Sequence, residues 1–118
     1  MIDPHVRGDT WRLEYQILDY NGNPMDLSNY EIRAELRNDK KSIKKANSKV
    51  NGGSDEEIKV LDTKGNIEII FKKEETANLE VGSYNLEIEI TSPTGERTTV
   101  VREILKVEPD IITWENKE

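Results

Sequence analysis

Apolar and polar residues alternate along most of this chain with a period of two. In residues 9–18, Trp11, Leu13, Tyr15 and Ile17 share one parity, while Arg12, Glu14 and Gln16 share the other. Successive side chains on a strand point to opposite faces, so this pattern predicts a strand with one buried face. Residues 30–37 repeat it, with Tyr30, Ile32, Ala34 and Leu36 inward and Glu31, Arg33, Glu35 and Arg37 in water. Residues 66–72 set Ile67, Ile69 and Phe71 inward. Residues 83–91 do the same with Tyr84, Leu86, Ile88 and Ile90, leaving Glu87 and Glu89 outside. A short strand over 56–61 turns Ile58 and Val60 inward.

The last run, 97–107, drifts in phase. Thr99, Val101, Leu105 and Val107 share a parity, Glu103 interrupts them, and Ile104 falls on the other face. A β-bulge near Glu103 would reset the phase. The loops "DTKGN" (62–66) and "SPTGE" (92–96) carry hairpin-turn residues. Residues 38–54 hold Lys40, Lys41, Lys44, Lys45 and Lys49 and end in "NGGS", which reads as a weak edge strand over 42–50 followed by a loose loop. "KEETANLEVG" (73–82) reads as one helical turn crossing between sheets. Ala77 or Leu79 plugs the sandwich end there, and Gly82 permits a sharp re-entry into the next strand. The expected fold is all-β: an Ig-like antiparallel β-sandwich of about seven strands with one short helical crossover. Its expected parts are an N-terminal arm (1–8), the sandwich domain (9–109) and a C-terminal exit segment (110–118).

Composition narrows the function classes. Charged residues make up 35% and hydrophobic ones 34%, but the aliphatic residues are clustered, which argues against disorder. The net charge of −7 argues against nucleic acid as a partner, because phosphate binding needs a basic surface. There is no cysteine, hence no disulfide and no thiolate metal site. The first residues lack the apolar core of a signal peptide, and no run approaches the ~20 apolar residues of a membrane helix, so no membrane insertion is expected.

The nearest thing to a site is "LDYNGNPMDLSNY" (18–30), where Asp19, Asn21, Asn23 and Asp26 crowd eight residues. An EF-hand loop needs glycine at its sixth position and glutamate at its twelfth. Counting from Asp19, those places hold Pro24 and Tyr30, so a tight turn at Asn21-Gly22 is the better reading. "RGD" at Arg7-Gly8-Asp9 has the adhesion tripeptide's spelling but leads straight into a strand. His5 is the only histidine, which leaves a triad or a zinc site without partners. Glu87 and Glu89 have the carboxylate chemistry of a glycosidase pair, yet alternate strand positions facing water are ordinarily charged. The lysines of 40–49 suit protection of an edge strand, pairing with Asp55, Glu56 and Glu57 across a hairpin, in preference to the alternative of contact with an acidic partner surface. Trp11, Tyr15, Tyr30 and Tyr84 belong to the core by alternation. Tyr20 and Trp114 are the exposed aromatics, and two residues so far apart make only a weak sugar-stacking platform. No catalytic, metal-binding or cofactor-binding residue is expected.

Four stretches carry a family resemblance: "RGDTW" (7–11), "DYNGNPMDLSNYEIRAELR" (19–37), "TANLEVGSYNLEIEI" (76–90) and "SPTGERTTVVREILKVEPDIIT" (92–113). In order and spacing the chain resembles the Ig-like domains of phage tail and baseplate proteins, and the N-terminal domain of the baseplate upper protein in particular. It departs from them at Glu103, where many such domains carry glycine. The resemblance implies a non-enzymatic structural protein of a virion, made in the host cytoplasm. Its implied partners are other tail and baseplate proteins, with homo-oligomers in the assembly. A carbohydrate-binding or surface-adhesion module of a bacterial protein is the alternative.

Overall fold

The computed structural model describes residues 5–110. Residues 1–4 of the arm, and 111–118 of the exit segment with Trp114, lie outside the described residues. The alternating runs form eight strands and one helical turn: β1 (His5–Val6), β2 (Trp11–Gln16), β3 (Glu31–Arg37), β4 (Ser42–Ala46), β5 (Ile58–Val60), β6 (Asn66–Phe71), α1 (Lys73–Thr76), β7 (Gly82–Thr91) and β8 (Arg97–Glu108). They build two sheets, one of order β1-β8-β7-β3-β4 and one of order β2-β6-β5. This is an all-β, Ig-like sandwich, with the order of the immunoglobulin arrangement in both layers. Every pairing is antiparallel except β1 with β8, where His5 faces Val107 and Val6 faces Glu108. That short parallel strand comes from the expected arm and raises the strand count from seven to eight.

Register follows from the pattern. Ile32, Ala34 and Leu36 of β3 lie opposite Ile90, Ile88 and Leu86 of β7. Trp11, Leu13 and Tyr15 of β2 lie opposite Phe71, Ile69 and Ile67 of β6. The two inner faces meet in one core in which Ile32, Ile67, Ile69, Phe71, Leu86 and Ile88 are wholly buried. Each such side chain contributes roughly 1.5–3 kcal/mol of transfer free energy. A one-residue slip would turn the whole set to water, which is why the register is sharply specified.

The crossover is pinned at three places. The Thr76 hydroxyl donates to the Asp9 carbonyl (2.6 Å) and accepts from the Gly8 amide (3.0 Å), stapling α1 to the turn before β2. Leu79 is buried and Ala77 exposed, so Leu79 is the plug. Gly82 has φ +143°, the re-entry that only glycine adopts readily. The buried Tyr84 then sends its hydroxyl back to Glu80, accepting from its amide (3.0 Å) and donating to its carbonyl (2.9 Å). This is the tyrosine corner of immunoglobulin sandwiches.

The bulge is not near Glu103. Ile88 pairs with Val101 but Glu89 pairs with Thr99, so Val100 is the extra residue. The ladder runs regularly through Glu103, which lies on the inner parity opposite Leu86 and yet is exposed. The three-stranded sheet ends at β2 and leaves that flank of β8 uncovered. A carboxylate stays hydrated there, so no change of phase is needed to expel it.

Candidate functional site

Residues 19–23 form a tight turn. The Asp19 carboxylate accepts from the amides of Asn21 and Asn23 (both 2.9 Å), Gly22 donates to the Asp19 carbonyl (3.0 Å), and Asp19 donates to the Asn23 carbonyl (2.7 Å). The same device recurs at 62–66, where Asp62 accepts from the amides of Lys64 and Asn66, and at 92–96, where Ser92 accepts from the Glu96 amide. Each loop starts with a short polar side chain and carries glycine at its fourth place with φ between +82° and +91°. The exposed Asp26 carboxyl is held below its usual range by the Ser28 hydroxyl and then the Ser28 amide. Asp19 and Asp26 thus spend their oxygens on their own loop. Among the described residues no group of three or more acidic or histidine side chains is placed to hold a metal ion.

Arg7-Gly8-Asp9 is the turn between β1 and β2. Gly8 has φ +90°, Asp9 donates to the Val6 carbonyl (3.2 Å), and the Arg7 guanidinium pairs with Asp110 (3.3 Å). The tripeptide is anchored in the sandwich rather than displayed on a free loop tip. The His5 ring packs edge-on against Trp11, centroids 5.4 Å apart. Trp11 and Tyr84 are buried and Tyr15 and Tyr30 half-buried, while Tyr20 stands fully exposed on the 19–23 turn. Burial, then the hydrogen bond to Glu103 and its charge, raise the Tyr15 phenol above its ordinary value of 10.0.

The lysine-rich segment contains the main surprise. β4 is an edge strand, as its lysines suggest, but Lys45 points inward and its side chain is only 3% exposed. Its ammonium bonds Glu75 (2.6 Å) and sits 5.4 Å from the centre of the Phe71 ring. The expected pairing with residues 55–57 is not what forms. Lys40 approaches Glu80 (4.0 Å) and Lys41 donates to the Asn78 carbonyl (2.7 Å), both near the crossover. Glu57 instead accepts from the Ala46 amide (3.0 Å). The strand stops at Ala46 because the buried Asn47 continues the ladder with its side chain. That amide accepts from the Ile32 N–H (3.0 Å) and donates to the Tyr30 carbonyl (2.9 Å).

The outer face of the five-stranded sheet holds an open cavity of about 560 Å³, lined by Arg33, Glu35, Lys44, Glu57, Glu87 and Glu89 among others. Glu87 pairs with Arg102 (3.0 Å), Glu89 with Arg97 (3.6 Å), and Glu35 accepts from the Ser42 hydroxyl (2.5 Å). A hydrolytic carboxyl pair needs one member kept protonated by apolar surroundings. Neither Glu87 nor Glu89 has such surroundings, since each faces an arginine and the lining is mixed in charge. Alternation shows these residues facing water, but not that Asn51, Gly52 and Glu57 come to line one open cavity with them.

No protein-family model matches the chain, and no curated protein matches it by sequence. Among solved structures it is similar to a crystal structure of a "putative glycoside hydrolase" from Bacteroides vulgatus, with TM-score 0.52 and 14% identity. The match covers 98% of this chain and 17% of that one. At this identity the likeness shows a shared sandwich fold alone, over nearly the whole of this chain and a small part of a much longer protein.

Proposed function

We propose that the chain is a non-enzymatic, protein-binding module of a phage or prophage tail assembly of the baseplate kind, made in the host cytoplasm and carried in the virion. The observation that carries this reading is the fit of the four resembling stretches to defined structural roles. Residues 7–11 make the turn into β2, and 19–37 make the first tight loop and β3. Residues 76–90 make the crossover end, the tyrosine corner and β7, and 92–110 make the closing hairpin and β8. The mixed, ion-paired outer sheet face supports a contact surface rather than a reaction centre. A carbohydrate-binding or adhesion module is the second reading, favoured by the exposed Tyr20 and by the name of the structural neighbour.

The test begins with the genes that flank this one. Tail-protein genes are expected there, and co-expression with their products should yield a complex that survives size-exclusion chromatography. A chain that stays monomeric beside all of them, while binding an arrayed glycan saturably and losing it on Tyr20→Ala, overturns the assembly reading in favour of the second.

A further inference from the structure

The closing strand has neighbours of very unequal length. β7 pairs with β8 from Arg97 to Val107, whereas β1 pairs only with Val107 and Glu108. Among the described residues nothing else joins the ladder beside β8, so residues 97–106 form a sheet edge. The Glu108 carbonyl accepts from the Arg7 amide (2.9 Å), so the backbone polar groups of Glu108 point to the β1 side. Backbone groups alternate sides along a strand. Those of Arg102 and Ile104 therefore face the open side, each offering an N–H and a C=O with no strand partner among the described residues, and Lys106 offers its N–H there, while its carbonyl lies within reach of the His5 amide in the parallel register. All three side chains are exposed, Ile104 to 71%. The run 101–106 is regular, because the bulge at Val100 ends it, and its length is that of an ordinary strand.

The inner side of this edge is also short of cover. β2 pairs only with β6, so its own far side is open as well. In the immunoglobulin arrangement a further strand lies beside the counterpart of β2. No strand fills that place among the described residues. Leu13, Tyr15 and Val101 are left half-buried along the flank, and the Tyr15 hydroxyl reaches across it to donate to Glu103.

We propose that the β8 edge over 101–106 is a strand-addition site that takes an extended segment of a different protein. The charge pattern and the place of β1 argue against a second copy as the occupant. Antiparallel self-pairing about a two-fold axis, with equivalent faces aligned, has four regular centres, of which the one on 105 runs residues 102 and 103 of the copy into the place β1 holds beside Val107 and Glu108. Centred on residue 102 it sets Arg102 against its own copy, centred on 103 it sets Glu103 against its own copy, and centred on 104 it sets Arg102 against Lys106. Like charges directly opposite are destabilising. Charges on an edge guard against such self-association and leave it open to a complementary strand. That strand carries acidic residues opposite Arg102 and Lys106, a basic one opposite Glu103, and apolar ones opposite Val101, Ile104 and Leu105. The inference deepens the binding-module reading and rests on it only in assigning the segment to an assembly neighbour.

The probe is a synthetic eight-residue peptide with that pattern, and the control is its charge-reversed twin. Amide hydrogen exchange is followed by NMR on the intact chain. In the free protein the Arg102, Ile104 and Lys106 amides should exchange fast. The peptide should slow them about tenfold at nine times its Kd, since protection scales as one plus the ratio of ligand to Kd. The Val101, Glu103 and Leu105 amides, which face β7, should change little. Arg102→Glu combined with Lys106→Glu should shift the preference to a peptide with lysines at those two places. Ile104→Pro should remove one edge donor and weaken binding while the β7-facing amides keep their protection. If Ile104→Pro does not fold, the charge-reversal pair decides alone. Three results would each overturn the proposal: equal response to both peptides, edge amides already slow in the free protein, and protection that appears only as the protein itself is concentrated. A complex with tail neighbours that forms while these amides stay fast also overturns it, and leaves the assembly reading standing with its contact elsewhere.

Discussion

Replacing Glu75 by leucine removes the anion that faces the buried Lys45 ammonium, and replacing Lys45 by methionine removes the ammonium itself. The two changes differ in what they leave behind. The Lys45 side chain is 3% exposed and that of Glu75 33%. After Glu75→Leu a cation remains among core groups with no carboxylate, and breaking a buried pair in this way costs about 3–5 kcal/mol. Water can approach from the Glu75 side, which favours the lower end. The Lys72 amide also loses its acceptor (2.9 Å), worth about 1 kcal/mol, so the expected loss is about 3–4 kcal/mol. After Lys45→Met the remaining carboxylate turns to solvent and the thioether keeps the contact with Phe71, for about 1 kcal/mol. Urea unfolding at neutral pH should separate the two variants by roughly 2 kcal/mol, about 1 M or more in midpoint. The double variant still lacks the acceptor for the Lys72 amide, so it should lose about 1 kcal/mol more than Lys45→Met alone, giving a coupling of about 2–3 kcal/mol. Equal losses in the single variants, or a Glu75→Leu loss under about 1 kcal/mol, would refute this account of the pair. Acid provides a second check. Burial raises the Glu75 carboxyl, but the Lys45 bond, the Lys72 amide and the charges of both outweigh it and hold it below its ordinary 4.5. The stabilisation is therefore present above that value and lost as pH falls through the lowered one, so the gap between wild type and Glu75→Leu should close in acid.

Tyr84→Phe deletes both bonds to the Glu80 backbone in a buried corner and should cost about 2 kcal/mol, read as a lower Tm with unchanged β-sheet circular dichroism. Gly22→Ala and Gly65→Ala start from nearly the same φ, +83° and +82°, but only at Gly65 would a Cβ meet backbone, the Ile17 carbonyl at 2.3 Å. Gly22→Ala should cost about 1–2 kcal/mol and Gly65→Ala about 3 or more; equal denaturation midpoints would discredit the close approach. The raised Tyr15 phenol favours the neutral form in the fold, so its contribution is complete below pH 10.0 and fades as pH climbs above it. Tyr15→Phe should flatten the alkaline limb of a stability–pH curve, and an unchanged limb would count against it.

Much of the sandwich was legible along the chain because strand periodicity is local. The inward sets of β3, β6 and β7 and most of that of β2 can be read from alternation, and Asn21-Gly22, "DTKGN" and "SPTGE" announce their turns through residues whose own dihedrals make them. The Asp19 stretch and the Arg7-Gly8-Asp9 turn were legible for the same reason. Lys45 was not. Its parity with Ile43 and Asn47 places it inward, but a lysine faces a core only where a carboxylate waits, and Glu75 lies thirty residues on in sequence. Glu103 misled in the opposite sense. An inward parity normally requires an apolar residue, and nothing local reveals that the opposing sheet stops short of it.

The sequence by itself determined seven of the eight strands, the apolar face of most of them and where the chain turns, since those depend on a few neighbouring residues and on the two-residue period. Tertiary structure decided which strands are neighbours, that His5–Val6 joins β8 in parallel, that Val100 rather than Glu103 absorbs the extra residue, and that among the described residues the β8 edge is left open ahead of Val107. Those outcomes rest on backbone hydrogen bonds and packing between residues distant in the chain. A strand's unpaired groups can be located only after every other strand has taken its place.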